Sequence, residues 1–131
     1  MRISRIPRMV ARSKPKPEFR RRGQHLAFVK LLSCVACGKA APSEAAHVRL
    51  GTDGGVGIKP SDRYSVSLCT SCHELQHRFS ELRFWSVLRI DPLNVALRLW
   101  TVSGDLEAGE RTVFRARQHI TLMKAAGDRP G

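Results

Sequence analysis

Residues 68–77 read Leu-Cys-Thr-Ser-Cys-His-Glu-Leu-Gln-His, and this short stretch decides how the chain folds. It begins with Cys69 and Cys72, whose two-residue spacing lets both thiolates reach one metal ion. His73 and His77 follow four residues apart, which places both imidazoles on one face of a helix. The stretch therefore predicts a metal-binding knuckle that leads into a helix carrying a second pair of metal ligands.

A second cysteine pair with the same spacing lies upstream, at residues 34–37. Intracellular conditions disfavour disulfides, so two such pairs indicate metal ligands rather than bridges. Four thiolates complete a closed tetrahedral zinc site with no open coordination position. We therefore expect a structural Zn²⁺, the alternative being four unconnected buried cysteines. The expected ligands are Cys34, Cys37, Cys69 and Cys72.

Two other motifs overlap residues 68–77. Residues 73–77 match H-E-x-x-H, the zinc-protease signature, with Glu74 as the general base. A protease places this motif well inside a long helix and takes a third ligand from a substantial domain, whereas Cys72 confines it here to the first turn. Residues 69–73 match the C-x-x-C-H pattern of haem attachment, which requires export and leaves the upstream cysteines unexplained. We therefore favour a zinc-stabilised domain over both of these readings.

Positive charge is concentrated at the N-terminus. The chain of 131 residues has a formal net charge of +12, and residues 1–30 contribute +9 of it, with Glu18 as their lone acid. Little apolar patterning and several prolines predict a disordered arm over residues 1–24 that lies along phosphates. A solvated tail or attraction to an anionic membrane surface are the alternatives. The expected nucleic-acid contacts are Arg2, Arg5, Arg8, Arg12, Lys14, Lys16, Arg20, Arg21 and Arg22.

No apolar segment is long enough to span a membrane, which takes roughly 18 residues. No continuous apolar segment follows the basic residues at the start of the chain, so we expect no secretory signal and a cytoplasmic location.

The remainder, residues 25–127, is expected to form one domain. A glycine-rich loop at residues 51–62 separates two predicted strands, at residues 45–50 and 64–68. Further helices are predicted over about 70–88, from 93 to 102 and over about 106–126, the second starting with Asp91 as cap and Pro92 in its first turn. The aromatic residues expected in the core are Phe84, Trp85, Trp100 and Phe114.

The order of these parts resembles the HNH, or ββα-metal, endonucleases, in the branch where four cysteines brace the motif. The resemblance is carried by residues 46–49 (Ala-His-Val-Arg), 55–62 (Gly-Val-Gly-Ile-Lys-Pro-Ser-Asp) and 68–77, and it covers about residues 34–85. It extends to phage and prophage HNH proteins, including the recombination-enhancing, RecA-dependent nuclease type. The resemblance implies an α+β fold: a ββα-metal core with a structural zinc, extra C-terminal helices and the basic arm.

The resemblance also implies a role for each polar residue of the motif. By position, His47 is the general base, and His73 and His77 hold one catalytic divalent metal, which is Mg²⁺, Mn²⁺ or Zn²⁺. Asp62 is the best substitute for the polar residue that orients the base, and Lys59 is placed to meet the scissile phosphate.

One position departs from the family pattern. The residue before the base is commonly a metal-ligating Asp or His, and here it is Ala46. Either the metal has two protein ligands plus water and phosphate, or His47 is itself a ligand. Asp53 or Asp62 are further candidates to complete the shell.

The resemblance implies a metal-dependent endonuclease that hydrolyses DNA phosphodiester bonds during phage or prophage recombination or DNA processing. The DNA is duplex, single-stranded or bound in a recombinase filament, and a RecA-type recombinase is the expected protein partner. The expected location is the cytoplasm of a bacterium or a phage-infected host cell. The alternative is a non-catalytic, zinc-stabilised DNA-binding or recombination accessory module.

Overall fold

The computed structural model describes residues 22–52 and 59–127. Within these ranges the chain forms five helices and two strands, which confirms the predicted α+β class. Residues 1–21 of the predicted arm lie outside the described part, and the first helix already begins at Gly23. In chain order the elements are α1 (Gly23–Lys30), β1 (Glu44–His47), β2 (Ser65–Leu68), α2 (Thr70–Phe79), α3 (Glu81–Leu88), α4 (Pro92–Thr101) and α5 (Leu106–Gly127).

The two strands form an antiparallel pair whose register runs from Glu44 opposite Leu68 to His47 opposite Ser65. All four residues of β2 are buried, since α1 and α2 contact both strands and α4 contacts β2. The hairpin leads directly into α2, so the order strand, strand, helix is observed at the predicted place.

The helix predicted over residues 70–88 is two helices. Ser80 separates α2 from α3 with φ 82° and ψ 147°, a conformation that no helix residue adopts, and its hydroxyl oxygen accepts a hydrogen bond from Arg83 N at 3.2 Å. The single helix is predicted from apolar residues at helical spacing, which are Leu75, Phe79, Leu82, Trp85 and Leu88. The break at Ser80 divides this apolar face, and Phe79 is 51 % and Leu82 63 % exposed. Trp85 is buried as expected, and its indole N–H donates to Gln76 Oε1 at 2.9 Å.

The predicted start of α4 is confirmed. Asp91 Oδ1 accepts hydrogen bonds from Leu93 N at 3.1 Å and Asn94 N at 3.3 Å, and Pro92 occupies the first turn. Proline fits there because the first helical N–H groups have no intrahelical partner.

The last helix, α5, is fastened to the segment that carries the first cysteine pair. Glu110 accepts two hydrogen bonds of 2.7 Å each, from the backbone N–H and the hydroxyl of Ser33. Gly109 lets α5 approach α1 closely, because a Cβ at this position would lie 2.7 Å from Phe28 Cζ. Phe114, predicted in the core, is 54 % exposed, so this prediction is wrong. No helix in the described part of the chain is long and apolar enough to cross a membrane.

His25 of α1 makes the stability of the fold depend on pH. Its side chain is buried, and Nδ1 lies 2.8 Å from the hydroxyl of Ser103, whereas Nε2 has no hydrogen-bond partner in the described structure. Burial lowers the pKa of His25 from 6.5 to about 4, against the opposing attraction of Asp62 and with a small contribution from Arg22. As the pH falls below 6.5, His25 is therefore protonated in the unfolded chain while it stays neutral in the folded chain, so acid favours unfolding.

We expect the protonation of His25 in the unfolded chain to lower the free energy of unfolding by about 2 kcal/mol between pH 7 and pH 5, because one pKa unit corresponds to about 1.4 kcal/mol. Urea unfolding of the wild type and of His25→Gln at both pH values measures it, since glutamine keeps a hydrogen bond to Ser103 but does not titrate. Acid also weakens metal–thiolate bonds, but both proteins share that effect, so the difference between them isolates His25. Equal losses in the two proteins would contradict the assignment.

Candidate metal centres and catalytic site

The four cysteines converge on one point. Each offers an Sγ atom, and the four atoms all lie within 4.8 Å of one another. One pair precedes β1 and the other spans the junction of β2 and α2, so the hairpin and the first turn of α2 bring them together. Four thiols at this spacing fit a tetrahedral metal such as zinc and leave no open position, which is typical of a structural site. The predicted ligand cluster is thus confirmed as a group positioned to hold a metal ion.

Both knuckles are shaped by their backbones. Cys37 N donates to Cys34 Sγ at 3.4 Å, and Cys72 N donates to Cys69 Sγ at 3.5 Å. Gly38 closes the first knuckle with φ +86°, a region that favours glycine.

Arg117 of α5 ties the C-terminal helix to the first knuckle. Its guanidinium donates to Cys34 O at 2.7 Å and to the hydroxyl of Ser33 at 3.2 Å. A side chain at Gly38 would lie 3.2 Å from the Nε atom of Arg117, so the small residue also makes room for this contact.

The thiols differ in acidity. Burial raises the pKa of Cys72 and of Cys37. Burial also opposes ionisation of Cys69, but hydrogen bonds from Cys72 and the neighbouring thiols outweigh it and lower the pKa of Cys69. Because the raised pKa values of Cys37 and Cys72 keep these thiols protonated at neutral pH, metal binding must release protons and acid must compete with the ion.

His47 and Asp62 form a hydrogen-bonded pair at the end of β1. His47 Nε2 lies 2.9 Å from Asp62 Oδ1, and the side chains are 16 % and 3 % exposed. A carboxylate only accepts hydrogen bonds, so His47 Nε2 is the donor in this contact. The other oxygen, Asp62 Oδ2, accepts from the backbone N–H of Arg22 at 2.6 Å, which fixes the carboxylate. The structure thus brings together two of the predicted catalytic residues.

The helix histidines form a second polar group with a residue that the sequence had not indicated. The ring centroids of His73 and His77 lie 4.8 Å apart on α2. Glu44, the first residue of β1, reaches across to α2, where its Oε1 lies 2.7 Å from His73 Nδ1. Its Oε2 accepts a hydrogen bond of 2.8 Å from the hydroxyl of Thr70.

The two polar groups are separate. Glu44 and His47 stand three residues apart in β1, which corresponds to about 10 Å along an extended strand, and alternation directs their side chains to opposite faces. In the described ranges the four cysteines are the one group of three or more metal-binding side chains within 4.8 Å of one another, so His47 does not join His73 and His77 in a ligand set. Asp62 likewise lies with His47 rather than with the helix histidines.

The remaining predicted site residues are placed as follows. Lys59 is exposed at the start of the segment that leads to Asp62, and Ala46 is fully buried in the core. Glu74, the acid of the H-E-x-x-H pattern, is exposed. Asp53 and the arm up to Arg21 lie outside the described residues.

Glu44 was not predicted, because the family pattern places a metal ligand directly before the base, where this chain has Ala46. A usable signal was present, since Glu44 is the sole acid between the two cysteine pairs and before the glycine-rich loop. Its proximity to His73 depends on the register that sets Glu44 opposite Leu68, one residue before the second knuckle.

Residues 3–89 match a protein family whose description reads "Protein of unknown function (DUF968)". The match spans about two thirds of the chain. The chain belongs to this family. The part of this DUF968 protein that the family shares includes the arm, both cysteine pairs, the His47–Asp62 pair and the histidines of α2, and it ends at the residue that caps α3. Helices α4 and α5 lie beyond it. No curated protein and no solved structure matches the chain.

Proposed function

We propose that this DUF968 protein is a metal-dependent endonuclease of the HNH type that hydrolyses DNA phosphodiester bonds. The observation that carries the proposal is the His47–Asp62 hydrogen bond of 2.9 Å at the end of a hairpin whose following helix presents His73 and His77. A histidine oriented by a buried carboxylate is a suitable general base, and the two imidazoles four residues apart on α2 are a suitable divalent-metal ligand pair. The four-cysteine zinc then braces the hairpin against the helix.

The chemistry proposed for His47 follows from its hydrogen bond. With Nε2–H donated to Asp62, Nδ1 takes a proton from a water molecule that attacks phosphorus, and the carboxylate stabilises the resulting imidazolium. His73 and His77 would hold a divalent cation, which would supply electrostatic stabilisation of the negative charge that develops at the phosphate. The exposed ammonium of Lys59 offers a further contact to the phosphate.

The basic arm supports DNA as the substrate. Arg22, its last predicted contact residue, is anchored in the catalytic pair through the hydrogen bond from its backbone N–H to Asp62, and its guanidinium lies 5.5 Å from the centroid of the Trp100 ring. Residues 1–30 carry a net charge of +9 and attract phosphates. Because Arg22 is hydrogen-bonded to Asp62, DNA bound by the arm would lie near His47. Such contacts give affinity without base specificity and weaken steeply with salt.

A non-catalytic, zinc-stabilised DNA-binding or recombination accessory module is the second candidate. Two observations favour it. The usual ligand position before the base is Ala46, which is buried, and His47 lies at the opposite end of β1 from the carboxylate that contacts His73.

A supercoiled-plasmid nicking assay separates the two candidates. The endonuclease is expected to nick in Mg²⁺ or Mn²⁺ and to be inactive in EDTA, whereas the accessory module binds DNA in both and cuts in neither. The same assay on single strands coated with a RecA-type recombinase tests the proposed partner. Salt-sensitive binding without cleavage on either substrate would favour the accessory module.

A further inference from the structure

The carboxylate of Glu44 is held in one place by α2. One oxygen lies 2.7 Å from His73 Nδ1 and the other 2.8 Å from the hydroxyl of Thr70. These contacts hold Glu44 against the first turn of α2, directly after the zinc knuckle. Glu44 is 47 % exposed and His73 23 % exposed, so both remain accessible from solvent.

This contact fixes the tautomer of His73. Because a carboxylate accepts and does not donate, the ring proton lies on Nδ1 and the lone pair on Nε2. Metal-binding histidines commonly donate their second ring N–H to a carboxylate in this way, which raises the basicity of the ligating nitrogen and orients the ring.

We propose that Glu44 is a positioning residue for a divalent-cation site in which His73 Nε2 and His77 are the protein ligands. The inference rests on the metal pair of the proposed function and deepens it by naming the residue that holds the first ligand. It also accounts for Ala46. By strand alternation Glu44 and Ala46, two residues apart, lie on the same face of β1. The carboxylate near the metal site therefore comes from position 44 instead of position 46.

The fit is one of donor chemistry. Two imidazoles four residues apart offer a pair of nitrogen ligands to a divalent transition-metal ion, and an outer carboxylate compensates part of the cation's charge. Glu44 acts through His73 rather than on the cation directly, since Glu44, His73 and His77 do not form a group of ligand atoms all within 4.8 Å in the described structure.

Calorimetric titration of the zinc-loaded protein with Mn²⁺ tests the inference. Glu44→Gln is expected to weaken Mn²⁺ binding by about 10- to 100-fold, the range typical for loss of an outer-shell partner, while zinc content and the unfolding midpoint stay close to wild type. Glu74→Gln is the matched control, because it removes the same charge from the residue next to His73 and Glu74 is exposed. This control is expected to change Mn²⁺ affinity by less than about threefold, since exposed charges interact weakly through water.

A second measurement needs no variant. Long-range ¹H–¹⁵N NMR of the wild type above pH 8 is expected to show His73 protonated at Nδ1. A proton on Nε2, equal Mn²⁺ affinity for Glu44→Gln and wild type, or equal weakening by Glu44→Gln and Glu74→Gln would overturn the inference. Failure of the proposed function would give a different result. If Mn²⁺ binding depends on Glu44 but the protein does not cleave DNA, the role of Glu44 is supported and the endonuclease activity is contradicted.

Discussion

Serine in place of Cys34 is expected to release the zinc ion and leave most of the protein unfolded at 25 °C. Cys34 is fully buried, and its Sγ atom lies in the four-thiol cluster that joins the segment before β1 to the start of α2. A structural zinc contributes about 10–16 kcal/mol to the folding of small zinc domains, whereas a whole domain is stable by only about 5–15 kcal/mol. A hydroxyl cannot replace a thiolate as a soft ligand, so loss of one ligand removes most of this contribution.

The measurement combines zinc content by mass spectrometry with circular dichroism during thermal unfolding. Cys69→Ser is expected to behave in the same way, because Cys69 Sγ lies in the same four-thiol cluster. A serine hydroxyl can still cap α2 at this position, so the loss would report on the metal ligand. Ser71→Ala is the matched control, since this exposed residue lies between two ligands without being one. A Cys34→Ser protein with one zinc and an unchanged midpoint would show that the cluster is not a zinc site.

Alanine in place of His47 is expected to lower DNA cleavage by about 10²- to 10⁴-fold, the range that general bases supply. Folding should be unaffected, because the imidazole is partly exposed at the end of β1 and its partner Asp62 keeps the hydrogen bond from Arg22 N. Nicking rates in Mn²⁺ measure the loss, and zinc content with the thermal midpoint confirms that the fold is intact.

Asp62→Asn provides the internal check on this assignment. If Asp62 acts by orienting His47, the single change lowers the nicking rate, but adding it to His47→Ala causes no further loss. Two losses that multiply would mean that Asp62 acts independently of His47. A His47→Ala protein that nicks like the wild type would remove His47 from the mechanism.

Much of the architecture could be predicted from local pattern. The spacing of the cysteine pairs specified a four-ligand cluster, and Asp91 with Pro92 specified the start of α4, because both signals depend on neighbours only a few residues away. Prediction failed where the backbone departed from a regular period. Ser80 breaks the helix at residues 70–88, so the apolar face inferred across it does not exist, and Phe79 and Leu82 are exposed.

The sequence by itself determined the residue types that make metal and nucleic-acid chemistry possible: four cysteines in two pairs, two histidines at helical spacing and a basic N-terminal segment. These features depend on residue types and on short spacings along the chain, which are the same whatever the tertiary structure. Only the tertiary structure decided which polar groups meet. It paired His47 with Asp62 and His73 with Glu44, and it kept the two pairs apart on β1, because strand register, and not distance along the chain, sets which side chains come within a hydrogen bond of each other.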